Sequence, residues 1–91
     1  MDTRTLSRYL HDDVIAPLFR QLLDHPSEVS IEFICSEKTV AFTVDTAPSD
    51  RGKVIGIKGR NIESLRILCG AICARYGFKF HMNVAGAGRR D

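Results

Sequence analysis

Gly56-Ile57-Lys58-Gly59 lies within the run GKVIGIKGRNIESLRILCGAICARY, from Gly52 to Tyr76, between an apolar lead-in and an amphipathic stretch. Two glycines separated by two residues let the backbone turn sharply and approach a ligand closely, because neither carries a Cβ. The stretch that follows reads as a helix, whose first N–H groups lack intrahelical acceptors and attract an anion. Lys58 and Arg60 add formal positive charge at the same junction. A phosphate is the ligand this combination suits, held by equilibrium binding without covalent chemistry. The spacing is not the G-x-x-x-x-G-K-[ST] of a triphosphate cradle, nor the strand-then-G-x-G-x-x-G of a dinucleotide site. His11, His25 and His81 fall in three separate elements, and no two carboxylates have an evident acid–base role. No enzyme activity and no cofactor are expected.

The net charge of +2 conceals an asymmetry around this loop. Residues 1–50 hold four basic residues (Arg4, Arg8, Arg20, Lys38) against nine acidic ones, a balance of −5. Residues 51–91 hold nine basic residues against Glu63 and Asp91, a balance of +7. A half this basic suits a polyanion such as nucleic acid or an anionic membrane surface. No stretch approaches the roughly 20 apolar residues of a membrane span, and MDTRTLSRYLHDD lacks the apolar segment of a secretory signal. The expected location is the cytoplasm. Cys35, Cys69 and Cys73 form no C-x-x-C or His/Cys cluster, so they are expected to be reduced thiols with no metal.

The elements that must position the loop follow from periodicity. In VIAPLFRQLLD, Val14, Ile15, Leu18, Phe19, Leu22 and Leu23 recur at helical spacing, with Asp12 or Asp13 available as N-cap. Pro17 is tolerated in a first turn, so this helix is expected to start near Asp13, with Leu6, Tyr9 and Leu10 in a separate turn before it. Val29, Ile31, Phe33 and Cys35 share one face of a strand, and Val40, Phe42 and Val44 one face of another, joined by Ser36-Glu37-Lys38 as a hairpin. Pro48 opens a short helix over roughly 48–55 that runs into the glycine loop. Beyond it, Ile62, Leu65, Cys69, Ile72 and Tyr76 mark a longer helix, widened by Leu68 and Cys73 and closed by Gly77. Gly70 weakens that helix, and close packing against a neighbour is the expected reason. Phe78, Phe80, Met82 and Val84 alternate with Lys79, His81 and Asn83 as a last strand, in which the phenylalanines read as core and His81 faces solvent. The order α-β-β-α-α-β predicts an α+β fold, three helices on one face of a three-stranded mixed sheet. It forms one domain with a core over about residues 14–84, an extension over 1–13 and a flexible basic tail over 85–91.

That order, with Val54-Ile55-Gly56-Ile57-Lys58-Gly59-Arg60 at the helix–helix junction, resembles a K-homology (KH) domain of the type II arrangement. The resemblance extends to the small single-domain bacterial KH RNA-binding proteins of the KhpA type. Leu22-Leu23-Asp24-His25-Pro26-Ser27-Glu28-Val29, Gly52-Lys53-Val54-Ile55-Gly56, Gly59-Arg60 and Leu65-Arg66 carry the resemblance. KH loops clamp the backbone of about four nucleotides of single-stranded RNA or DNA. The resemblance therefore implies that Gly56 to Gly59 hold phosphates, that Lys58 and Arg60 neutralise them, and that Lys53 assists. It also implies that Val54, Ile55 and Ile62 floor an apolar groove for bases, with Val44 on the opposite wall. An RNA chaperone or regulator is the implied role, with a homodimer or a larger multidomain KH protein as partner. Ile57 and the Leu6-Tyr9-Leu10 segment are the contact sites expected for such a partner.

Two departures bear on strength. The family usually places Lys or Arg directly after the first glycine, where this chain has Ile57 and carries its charge one residue later. The connection Tyr76-Gly77-Phe78 leaves almost none of the loop that often extends the groove. Modest affinity and little sequence discrimination follow.

Overall fold

Leu6, Leu10, Ile15, Phe19 and Leu23 are all buried, at intervals of four, five, four and four residues. An unbroken α-helix could not keep the five-residue step on one face, and the backbone resolves this with a wide turn. In the computed structural model, which describes residues 1–86, α1 spans Thr3–Tyr9, a π-helical turn spans Leu10–Ile15, and α2 spans Ala16–Leu22. The Ala16 N–H bonds the His11 carbonyl, five residues back. Pro17 follows at once, and the widened turn accommodates its ring and missing N–H inside a continuous helical rod.

This corrects four expectations. The rod starts at Thr3, not near Asp13, and its N-cap is Asp2, whose carboxylate accepts the Thr5 N–H at 2.7 Å. Asp12 caps nothing and instead meets His11 Nδ1 at 2.8 Å. The packed core begins at Leu6, not at residue 14, and Leu18, placed on the apolar stripe by α-helical spacing, is exposed. From Ile15 on the phase is regular, with Ile15, Phe19 and Leu23 facing the core, and Leu18 falls at the edge of that face.

The rest of the order is as the pattern predicts. A short 3-10 turn at Pro26–Glu28 leads to β1 (Ser30–Cys35), the hairpin to β2 (Thr39–Asp45), and a 3-10 turn at Pro48–Asp50 to α3 (Arg51–Ile55). After the glycine loop come α4 (Arg60–Arg75) and β3 (Lys79–Val84). The sheet order is β1-β2-β3, with β1 antiparallel and β3 parallel to β2. Val40, Phe42 and Val44 of β2 and Met82 and Val84 of β3 meet the helices in one core, while Glu32, Thr43, His81 and Asn83 lie on the open face. The Phe33, Phe42 and Phe80 rings follow one another at 5.6 and 5.9 Å on the core side, as expected of packing residues.

On α4, Ile62, Leu65, Cys69 and Cys73 are buried, and burial pushes the Cys69 thiol up to about 11, so it packs as a neutral group. Leu68 lies outside the stripe and is exposed. The helix closes with Gly77 N–H on the Ala74 carbonyl and Phe78 N–H on the Cys73 carbonyl, the reciprocal pair of a Schellman end. Arg66 reaches from α4 to the Met82 carbonyl at 3.0 Å and so covers one edge of the sheet. The expectation for Gly70 fails: a Cβ built there meets nothing within 4 Å, so no neighbour requires a glycine. Gly70→Ala is therefore expected to stabilise the protein by about 1 kcal/mol, readable as a rise in the denaturation midpoint.

Ala85 continues the chain with an N–H bond to the Val44 carbonyl at 2.8 Å, and Gly86 lies against the Arg51 guanidinium. The tail expected to be flexible, with Arg89-Arg90, lies from residue 87 onward outside the described residues. Among the described residues, no helix is long and apolar enough to cross a membrane.

Candidate functional site

The glycine loop has the backbone that its sequence requires. Gly56 sits at φ 79°, ψ 172°, a region that only glycine occupies without substantial strain. Gly59 is left-handed at φ 74°, ψ 15°, and between them Lys58 holds φ 55°, ψ 26°, the one non-glycine residue with positive φ among those described. A left-handed lysine costs roughly 1–2 kcal/mol, strain concentrated at the tip of the loop. Gly59 N–H closes the turn on the Gly56 carbonyl at 3.1 Å.

Close packing fixes one glycine and not the other. A Cβ on Gly56 would lie 2.6 Å from Asn61 Cγ and 2.9 Å from the Asn61 backbone nitrogen, whereas one on Gly59 would meet nothing within 4 Å. Asn61 itself is tied back, its Nδ2 donating to the Lys53 carbonyl at 2.8 Å across the loop. Gly59, at the N-cap of α4, offers no side chain to the first N–H groups, of which that of Arg60 turns back to the Ile57 carbonyl.

The cations divide into two kinds. Lys58 and Arg60 are exposed, and among the described residues neither side chain has a hydrogen-bond or ion-pair partner. Lys53 lies on the same side but is engaged, its Nζ 2.9 Å from Asp24 Oδ2. That contact lowers the Asp24 carboxyl pKa and raises that of the Lys53 ammonium, chiefly by the shared hydrogen bond and then by charge. The Asp24 corner is pinned from below by Asp50, which is fully buried and accepts the N–H groups of Asp24 at 3.2 Å and His25 at 2.8 Å.

A groove of ≈ 550 Å³ runs beside the loop, lined by Leu22, Gly52, Lys53, Gly56, Ile57, Arg60 and Asn61. It brings together Lys53, Gly56, Ile57 and Arg60 of the expected site, with Lys58 and Gly59 on the adjoining tip. The expected apolar floor is not there. Val54 and Val44 are wholly inside the core and Ile62 is 6% exposed, while Ile55 is half-buried. These side chains hold the loop from behind, because α3 and α4 turn their apolar faces to the sheet. The groove's apolar atoms come from Leu22 and from Ile57, which is 81% exposed. Asp24, Asp50 and Asn61 were missed; their roles depend on contacts across the fold that no local spacing signals. His25 stands at the helix end as expected, its ring Nδ1 3.8 Å from Glu28, and His81 faces solvent.

The sequence profile described as KhpA/KhpB, KH domain, matches residues 12–84, which spans the loop, both flanking helices and the whole sheet. The chain belongs to the KhpA/KhpB family of KH domains. It is 31% identical over 72 residues to the RNA-binding protein KhpA of Chlamydia caviae, covering 79% of this chain and 92% of that one. It is 36% identical over 63 residues to the RNA-binding protein KhpA of Mycobacterium tuberculosis (69% and 79%), and 34% over 65 residues to that of Aquifex aeolicus (71% and 82%). No solved structure gives a significant match. Membership of the KhpA/KhpB family makes this a non-catalytic protein. The αββααβ order, with one antiparallel and one parallel strand pair, is the type II KH arrangement. Three residues, Tyr76 to Phe78, join α4 to β3.

Proposed function

We propose that this KhpA/KhpB-family protein binds single-stranded RNA in the bacterial cytoplasm by clamping its backbone at Gly56–Gly59, as an RNA chaperone or regulator. The observation that carries the reading is the loop itself. Gly56, Lys58 and Gly59 expose backbone at positive φ beside the uncapped start of α4, with Lys58 and Arg60 free at the rim. The relatives' names, RNA-binding protein KhpA, support the same ligand. About three phosphate contacts give a log–log salt slope near −2 for a single strand, so affinity is modest and falls steeply with salt. Fluorescence anisotropy of a labelled single-stranded RNA octamer, titrated at several salt concentrations, tests this. A slope near zero, or equal affinity for duplex RNA, is the contrary result. Ile57, an apolar group at the loop tip, is suited to touch a base or sugar and adds no charge.

A second reading, compatible with the first, is self-association. Of the segment first expected to make such contacts, Leu6 and Leu10 are buried and only Tyr9 is exposed, while Ile57 stands open at the loop tip. Ile67 and Leu68 on α4 are 62% and 64% exposed, and Leu18 and Leu22 of α2 flank Leu68 across a shallow groove of ≈ 240 Å³. Exposed apolar side chains grouped at one groove suit an interaction surface. A second KH chain, either another copy or a larger multidomain KH protein, is its proposed occupant. Sedimentation at several concentrations is expected to show dimers that the Ile67→Asp/Leu68→Asp variant turns into monomers; a wild-type monomer at every concentration argues against the homodimer.

A further inference from the structure

Lys53 is the one cation of the groove that already has an anionic partner. Its Nζ meets the Asp24 carboxylate at 2.9 Å beside Gly52, Gly56 and Arg60, where a phosphate following the loop would pass. An ordinary surface ion pair is fluid and worth little. This one is held at both ends. Asp24 cannot swing away with its loop, because its own N–H and that of His25 are fixed on the fully buried Asp50 carboxylate. Lys53 is fixed through its backbone, whose carbonyl takes the Asn61 amide at 2.8 Å. The buried carboxylate thus anchors an exposed one, and the exposed one faces the cation that the ligand needs.

We infer that Asp24 is a built-in competitor for RNA phosphate, occupying Lys53 until a nucleic-acid backbone displaces it, and so sets the affinity of the groove. This rests on the reading that the loop binds RNA. Two consequences separate it from general charge repulsion. Even when displaced, the tethered Asp24 carboxylate stays beside Lys53 and offsets its charge, so the loop contacts alone set the salt dependence. When Asp24 is neutral, Lys53 adds one more phosphate contact, which steepens the salt slope by about 0.7.

The test uses the full chain and the same labelled octamer. Asp24→Asn keeps the backbone bond to Asp50 and removes only the charge. It is expected to bind roughly fivefold tighter near 0.1 M salt, with the steeper slope. Comparing Lys53→Gln with Asp24→Asn/Lys53→Gln completes a double-mutant cycle, and in that background the gain from Asp24→Asn is expected to vanish. A gain that survives without Lys53 is plain charge removal and overturns the inference, as does an Asp24→Asn variant with wild-type affinity and slope. If Asp24→Asn has no effect while Ile57→Asp/Lys58→Asp abolishes binding, the inference fails and the loop reading stands. If neither variant alters binding, the loop reading itself fails.

Discussion

Replacing Ile57 and Lys58 together with aspartate is expected to lower RNA affinity about a hundredfold and to leave the fold unchanged. Both side chains project into solvent at the tip of the loop, Ile57 being 81% exposed, so neither supports the core. The exchange removes one positive charge and adds two negative ones at the closest approach of the RNA backbone. One lost phosphate contact and two new repulsions amount to roughly 2–3 kcal/mol at moderate salt. Anisotropy measures the loss, and an unchanged thermal transition shows that folding is intact. Unaltered affinity in a folded double variant would remove the loop from the binding site altogether. The converse change, Ile57→Lys, adds a second cation to the loop tip beside Lys58 and is expected to tighten binding.

Gly56→Ala is expected to be the most destabilising small substitution in the loop, and Gly59→Ala a much milder one. Both glycines have positive φ, yet their surroundings differ. At Gly56 the backbone lies in a region available almost solely to glycine, and an added methyl would sit 2.6 Å from Asn61 Cγ and 2.9 Å from its backbone nitrogen. The backbone nitrogen cannot step aside as a flexible side chain would. Strain and collision together cost about 3 kcal/mol or more, a fall of roughly 12–20 °C in the melting temperature of a domain this size. At Gly59 the left-handed conformation alone is at stake, about 1–2 kcal/mol, since the methyl would enter open space. Thermal denaturation of the two variants side by side tests the ranking; a Gly59→Ala protein less stable than Gly56→Ala would show that the loop is built differently.

The contrast between these glycines marks where sequence reasoning stopped. G-x-x-G gives the two residues equal standing, and only the return of Asn61 across the loop separates them. Alternation of period two was enough for all three strands and the hairpin, because Val40, Phe42, Val44, Met82 and Val84 have one buried face whatever lies beyond it. Helical phase was less secure. The stripe on α4 was legible at Ile62, Leu65, Cys69 and Cys73 but not at Leu68 and Tyr76, and on the first rod Leu18 fell outside the narrower face set by Ile15, Phe19 and Leu23. The floor of the groove failed for a related reason. Val54 and Ile62 neighbour the loop in sequence, yet in helices a neighbour in sequence points elsewhere, and both supply the core. Asp24 and Lys53 stand 29 positions apart, and no periodicity brings two such residues together.

The wide turn at Leu10–Ile15 joins two stretches of regular helical phase. Removing one residue between Leu10 and Ile15 would return the buried positions to an even four-residue rhythm, so a chain shortened there would keep Leu6, Phe19 and Leu23 on one face without a widened turn. Pro17, which has no N–H, would then interrupt a regular α-helix, and its ring would have to be accommodated by a kink instead.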